Sequence, residues 1–167
     1  MPGLLLKFHI GITNLTKNNL GKKILVVDDE IEMRIALETT LKREGHNITL
    51  AKNGEQALEL LSADTFDLVL TDVKMPKMNG IQLLKSLKVK SPQTITIMMT
   101  AYGDIDNAVE TIKLGAFDYL LKPFSAEILI ATVNRAFLDN GSQTNSFIHS
   151  IPKITKAPAR ERRIITQ

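Results

Sequence analysis

Leu68-Val69-Leu70-Thr71-Asp72 is an apolar run that ends on a carboxylate and opens into a loop, Val73-Lys74-Met75-Pro76-Lys77-Met78-Asn79-Gly80. A second run upstream, Ile24-Leu25-Val26-Val27, ends the same way on Asp28-Asp29. Short continuous apolar runs of this kind suit strands covered on both faces, as in parallel sheets. Two such strands, each delivering carboxylates at its C-terminal end, gather an anionic pocket at one rim of the sheet. That pocket suits a divalent cation and leaves one carboxylate free to act as a nucleophile.

Outward from these runs the pattern alternates. Lys23–Val27 reads as a buried strand, and Glu30–Glu44 as a helix stopped by Gly45 in the left-handed region. Asn47–Ala51 is half polar and suits a sheet edge; Gly54–Ser62 follows as a helix with Ala57, Leu58 and Leu61 on one face. Leu68–Thr71 is the third strand, Gly80–Lys90 the third helix and Thr94–Thr100 the fourth strand. Ile105, Ala108, Val109 and Ile112 recur at helical spacing. Phe117–Leu121 is a fifth strand, and Ser125 caps a helix running to about Asn140, before Gly141. Five strands alternating with five helices predict an α/β fold with right-handed crossovers, a doubly wound parallel sheet of about 120 residues. Ligands in such sheets sit beyond the carboxyl ends of the strands. Those ends hold Asp28-Asp29, Asp72, Thr100 and Lys122-Pro123, all on one rim.

Composition narrows the chemistry. The 167 residues hold no cysteine, which excludes disulfides, thiolate metal sites and cysteine nucleophiles, and is compatible with a reducing cytoplasm. No apolar stretch approaches the roughly 18 residues of a membrane span, and the N-terminus lacks the cationic start of a secretory signal. The net charge of +3 comes from the ends. Residues 1–23 carry four lysines and no acid, residues 141–167 carry five basic residues against one glutamate, and the segment between is acidic. An acidic globule with basic ends is not the footprint of a nucleic-acid-binding fold.

Three carboxylates at one rim repel, and each is driven toward protonation unless a cation sits among them. Magnesium answers this, since it takes oxygen ligands from one or two carboxylates, water and phosphate. No histidine or cysteine accompanies them, which disfavours zinc and copper. Lys122 adds a point charge and Thr100 a hydroxyl for an oxyanion. The set forms a receptacle for a transferred phosphoryl group, with a carboxylate nucleophile giving an acyl phosphate.

With the acidic pair Asp28-Asp29, the run Thr71-Asp72-Val73-Lys74-Met75-Pro76, Thr100-Ala101 and Lys122-Pro123-Phe124 in this order, the chain resembles a two-component response-regulator receiver domain. It is most similar to receivers of NtrC-type activators and to single-domain phosphorelay receivers. The resemblance covers residues 22–140 and implies a flavodoxin-like sheet of strand order 2-1-3-4-5. It implies that Asp72 is the phosphoacceptor, Asp29 a direct magnesium ligand, Asp28 a ligand mainly through water, and the Lys74 backbone carbonyl a further ligand. Thr100 and Lys122 would contact the phosphoryl oxygens, the Lys122–Pro123 bond would be cis, and Thr100 with Tyr119 would form the switch. The implied donor is a histidine kinase or histidine phosphotransfer protein. The implied output is a protein partner, or a second copy of the chain, on the face of the fourth helix, fifth strand and fifth helix. In such receivers the residues two beyond the acceptor and two beyond the threonine flank the path of attacking water. Both are bulky here, Lys74 and Tyr102, which implies slow hydrolysis of the phosphoryl group.

Taken singly, each residue has a plainer reading: Asp72 a turn residue, Asp28-Asp29 a helix cap, Lys122 a surface lysine, Thr100 a strand residue, Tyr119 core. Their conjunction is what points to phosphotransfer. His9, His46 and His149 read as surface residues, and Met75, Met78, Met98 and Met99 as core or loop packing. Residues 1–21 are expected to be a flexible extension, although Leu4, Leu6, Phe8, Ile10 and Ile12 alternate as a strand would. Residues 141–167 are expected to be a basic, disordered tail. No phosphate-loop motif is present, so the chain is either a stand-alone receiver or a regulator cut short of its output domains. A haloacid-dehalogenase-type phosphatase is disfavoured because Glu30, not a second aspartate, stands two residues after Asp28. A receiver-shaped adaptor that is never phosphorylated remains the alternative from outside phosphotransfer.

Overall fold

The computed structural model describes residues 21–101 and 105–139. In chain order these form β1 (Lys23–Val27), α1 (Ile31–Arg43), β2 (Asn47–Ala51), α2 (Gly54–Ala63), β3 (Leu68–Asp72), α3 (Gly80–Lys90), β4 (Ile95–Ala101), α4 (Ile105–Lys113), β5 (Asp118–Lys122) and α5 (Ala126–Asp139). All pairings are parallel and the strand order is β2-β1-β3-β4-β5, as expected. Element ends differ from the sequence reading by a residue or so. Residues 1–20 of the expected extension 1–21, with His9 among them, Tyr102, and the segment from Asn140 onward, with His149, lie outside the described residues.

Strand periodicity sorts the core into two layers. Ile24, Val26, Leu68, Leu70, Ile97 and Met99 face α1 and α5, meeting Leu37, Leu41, Leu129 and Val133. Leu25, Val27 and Val69 face the other way, against Ala57 of α2 and Leu83 and Leu87 of α3. Each large apolar side chain withdrawn from water contributes about 1.5–3 kcal/mol. β1, β3 and β4 therefore form a stiff floor beneath the rim.

The helix boundaries follow from local chemistry. Gly45 has φ of 86° and stops α1, its N–H donating to the Lys42 carbonyl. Asn79 caps α3 in a capping box with Gln82, and Asn53 caps α2 by accepting from the Gln56 N–H. The methionine reading holds: Met98 and Met99 are fully buried, and Met75 and Met78 pack against the α2–α3 layer.

One expectation needs correction. His46 is not a surface residue. The Gly45 turn tucks it under the last turns of α5, where its ring centroid lies 5.6 Å from that of Phe137. Its N–H donates to Leu41, and its buried Nδ1 has no partner among the described residues. Burial lowers the His46 pKa below the ordinary value; Glu44 and Asp67 oppose the shift and Lys22 adds to it. The unfolded chain then takes up the proton first as pH falls, so stability is full above the ordinary histidine range and declines below it. Urea midpoints measured from pH 7.5 to 5.5 are expected to fall in the wild type more steeply than in His46→Phe; parallel curves would contradict this.

The spacing of Ile105, Ala108, Val109 and Ile112 does form a helix, α4. Among its described side chains Ala108 and Thr111 are buried, while Val109 and Ile112 are 45% and 41% exposed. Small residues face the sheet there, and the bulky ones flank them.

Candidate functional site

The C-terminal ends of β1, β3, β4 and β5 meet at one rim, and the register explains how. Val27 pairs with Thr71, Asp72 with Met99, and Ala101 with Lys122. In-register parallel strands bring Asp28, Asp29, Asp72, Thr100 and Lys122 to the same rim, with Thr100 one residue and Lys122 two residues beyond the level of Asp72. Oxygens of Asp28, Asp29 and Asp72 lie within 4.8 Å of one another.

The carboxylates are unequal. Asp28 is fully buried: its Oδ1 accepts from the Glu30 N–H at 2.9 Å and its Oδ2 from Lys122 Nζ at 2.8 Å. Asp72 is buried, accepting at Oδ2 from Lys122 Nζ at 3.0 Å and at Oδ1 from the Lys74 N–H at 3.3 Å. Asp29 is exposed. Burial raises the Asp72 pKa above the ordinary carboxylate value; the hydrogen bond and charge of Lys122 and the Lys74 N–H oppose this, and Asp28 adds to it. For Lys122, burial alone would lower the pKa, but hydrogen bonds to Asp28 and Asp72 outweigh it and the net direction is upward. One ammonium thus holds two buried carboxylates together.

The donor set fits a hard divalent cation. Three carboxylates of which one is solvent-facing, together with backbone oxygen nearby, match oxygen-ligand chemistry and offer no soft or imidazole ligand. Thr100 is buried, and its Oγ1 has no hydrogen-bond partner among the described residues. A buried hydroxyl without a partner is costly, and a phosphoryl oxygen at the rim would satisfy it.

Tyr119 is half-buried on β5, opposite Met98 in register, packed against Val73, Leu84, Met98 and Ala116. It lies on the same sheet face as Thr100, two residues further from the rim. The Lys122–Pro123 bond is cis, as the resemblance implied. A groove of about 540 Å³ lined by Val73, Lys74, Met75, Pro76, Asn79 and Ile81 flanks the β3–α3 loop and includes none of the carboxylates.

Two features of the site escape a reading by motif. Gly80 backs directly onto the end of β3: a Cβ there would lie 2.0 Å from the Asp72 carbonyl oxygen. Arg34 reaches back from α1 to the carbonyls of Asp28 and Asp29. A glycine at a helix start and an arginine four residues after Glu30 were the available signals, and neither is specific.

Comparison with known proteins places these features in context. The model of the response regulator receiver domain matches residues 24–134. The transcriptional regulatory protein ZraR of Escherichia coli K12 is 41% identical over 141 residues, covering 84% of this chain and 31% of ZraR. The DNA-binding transcriptional regulator NtrC of the same organism is 43% identical over 113 residues, covering 68% of this chain and 24% of NtrC. This chain thus spans less than a third of the length of either relative. A crystal structure of a receiver domain protein from Clostridium thermocellum superposes with a TM-score of 0.68 at 34% identity, covering 72% of this chain and 97% of that one.

Proposed function

The chain belongs to the response regulator receiver family, and from that premise we propose that it carries a signal by accepting a phosphoryl group on Asp72. The observation that carries the proposal is the double hydrogen bond of Lys122 Nζ to Asp28 and Asp72, beside the partnerless Thr100 hydroxyl. Residues 22–140 form the receiver. An oxygen of Asp72 attacks the phosphorus of a phosphohistidine in line; the P–O bond forms as the P–N bond breaks, and the electron pair leaves with the imidazole. Lys122 moves from pairing carboxylates to pairing phosphoryl oxygens, and Thr100 donates its hydroxyl to another.

Asp28, Asp29, Asp72 and the Lys74 carbonyl would hold magnesium, which when bound neutralises the clustered carboxylates and the oxygens of the incoming group. Asp29, the exposed member of the set, would be a direct carboxylate ligand. Asp28, which is fully buried, would act mainly through water. The chain is a phosphoacceptor that assists its own transfer and hydrolysis, not a turnover enzyme.

The donor is a histidine kinase or histidine phosphotransfer protein, in the cytoplasm. Output follows when Thr100 is drawn to the phosphoryl group and Tyr119 repacks behind it, shifting the population of the α4–β5–α5 face. Exposed Val109 and Ile112 supply that face with apolar contact for a protein partner or a second copy of the chain. No specific nucleic-acid contact is assigned to residues 22–140. Among the described residues no helix is long and apolar enough to cross a membrane.

The direct test is transfer from an autophosphorylated histidine kinase domain. Label should move to this chain with magnesium and stay on the donor with chelator; transfer indifferent to the metal would contradict the proposal. The bulk of Lys74 and Tyr102 also predicts a long-lived product. Lys74→Asn and Tyr102→Glu should each speed loss of the phosphoryl group several-fold, and unchanged decay in both would remove that inference.

A further inference from the structure

The Asp29 carboxylate, the exposed member of the acidic set, is held by no hydrogen bond among the described residues, so its aim depends on its backbone. Both peptide oxygens that flank its Cα accept from one nitrogen: Arg34 Nη1 donates to the Asp28 carbonyl at 2.7 Å and to the Asp29 carbonyl at 3.1 Å. Pinning both peptide planes restricts φ and ψ of Asp29, and with them the direction of its Cα–Cβ bond. The turn is also closed by the Glu30 N–H, which donates to Asp28 Oδ1 at 2.9 Å, whereas the Glu30 side chain makes no capping bond. Arg34 is itself anchored through its N–H to the Glu30 carbonyl at 3.1 Å, one turn into α1. We propose that Arg34 is a positioning residue for the divalent-ion site, holding the Asp28–Glu30 turn so that Asp29 faces the pocket. This rests on the receiver reading, in which Asp29 is the direct ligand.

Positioning and charge have opposite signs here. A guanidinium acting only by its charge near a cation site repels the cation, and removing it would tighten binding. A guanidinium that orients a ligand does the reverse, and loss of such a support weakens metal affinity about 10- to 100-fold. The experiment titrates folded wild type, Arg34→Met, Arg34→Lys and Asp29→Ala with Mg2+ by calorimetry and with Mn2+ by water-proton relaxation. Urea unfolding in chelator is run in parallel.

Arg34→Met is expected to bind each ion at least about tenfold more weakly. Arg34→Lys should fall between Met and wild type, because the shorter lysine side chain sets its ammonium further from the two carbonyls that Arg34 Nη1 reaches. Should Arg34→Met fail to fold, the lysine variant carries the comparison. Tighter binding, full recovery by lysine, or a lowered unfolding midpoint with unchanged affinity would each overturn the inference. A wild type that binds neither ion, or Asp29→Ala without effect, would instead sink the receiver reading beneath it.

Discussion

Asp72→Asn is expected to abolish phosphoryl uptake from a small acyl phosphate and, in the same protein, to raise stability in the absence of metal. The first effect is loss of the nucleophile, since an amide oxygen forms no acyl phosphate under these conditions. The second follows from the pKa direction. Asp72 is held above the ordinary carboxylate value by burial and by Asp28. A carboxyl whose folded pKa is raised adds stability below the unfolded value and gives it up as pH rises through the folded value. Near neutrality the ionised Asp72 therefore weakens the metal-free fold, and asparagine removes that penalty while keeping the shape. Urea midpoints at pH 7 in chelator should be higher for Asp72→Asn, with the difference shrinking on acidification toward the ordinary carboxylate range. Equal midpoints at both pH values would show that the acidic cluster is not strained.

Gly80→Ala should produce the largest loss of stability among single-methyl changes at the rim. The added Cβ would lie 2.0 Å from the Asp72 carbonyl oxygen, 2.9 Å from its carbon and 3.0 Å from Val73 Cα. All three are backbone atoms at the end of β3 and the residue after it, so no side chain can swing away. The Gly80 N–H also donates to the Val73 carbonyl at 2.9 Å, which ties the helix start to the strand end. A destabilisation on the order of 3 kcal/mol is expected, together with weaker magnesium affinity as Asp72 is displaced. Gly54→Ala gives the contrast. Its Cβ would meet the flexible Met78 side chain at 2.7 Å as well as a carbonyl at 2.9 Å, so part of that clash can relax. A Gly80→Ala protein as stable as wild type would mean the close approach is absent in solution.

What could be read before any coordinates was the part governed by period and by strand ends. Leu68–Leu70 and Ile24–Val27 are uniformly buried because a central parallel strand has no solvent face, and a run of that kind declares itself. Parallel pairing in register then carries Asp28, Asp72 and Lys122 to one rim without further information. The remainder depended on contacts between elements distant in sequence. His46 is polar and follows a turn, so nothing local predicts the α5 end that covers it. On α4 the spacing of Val109 and Ile112 identifies a helix but not its rotation about its axis, which the small pair Ala108 and Thr111 decides. Arg34 looks like any arginine on a helix surface until its bonds back to two carbonyls are seen. Gly80 is legible as a helix start, but its intolerance of a methyl group comes from the strand behind it.

The most direct test is to locate the phosphoryl group. Intact protein incubated with a small acyl phosphate and Mg2+, then cleaved and sequenced by mass spectrometry under conditions that preserve acyl phosphates, should gain one phosphoryl group, on Asp72. The gain should vanish with chelator. Incorporation at another residue, or none with Mg2+ present, would contradict the account at its centre.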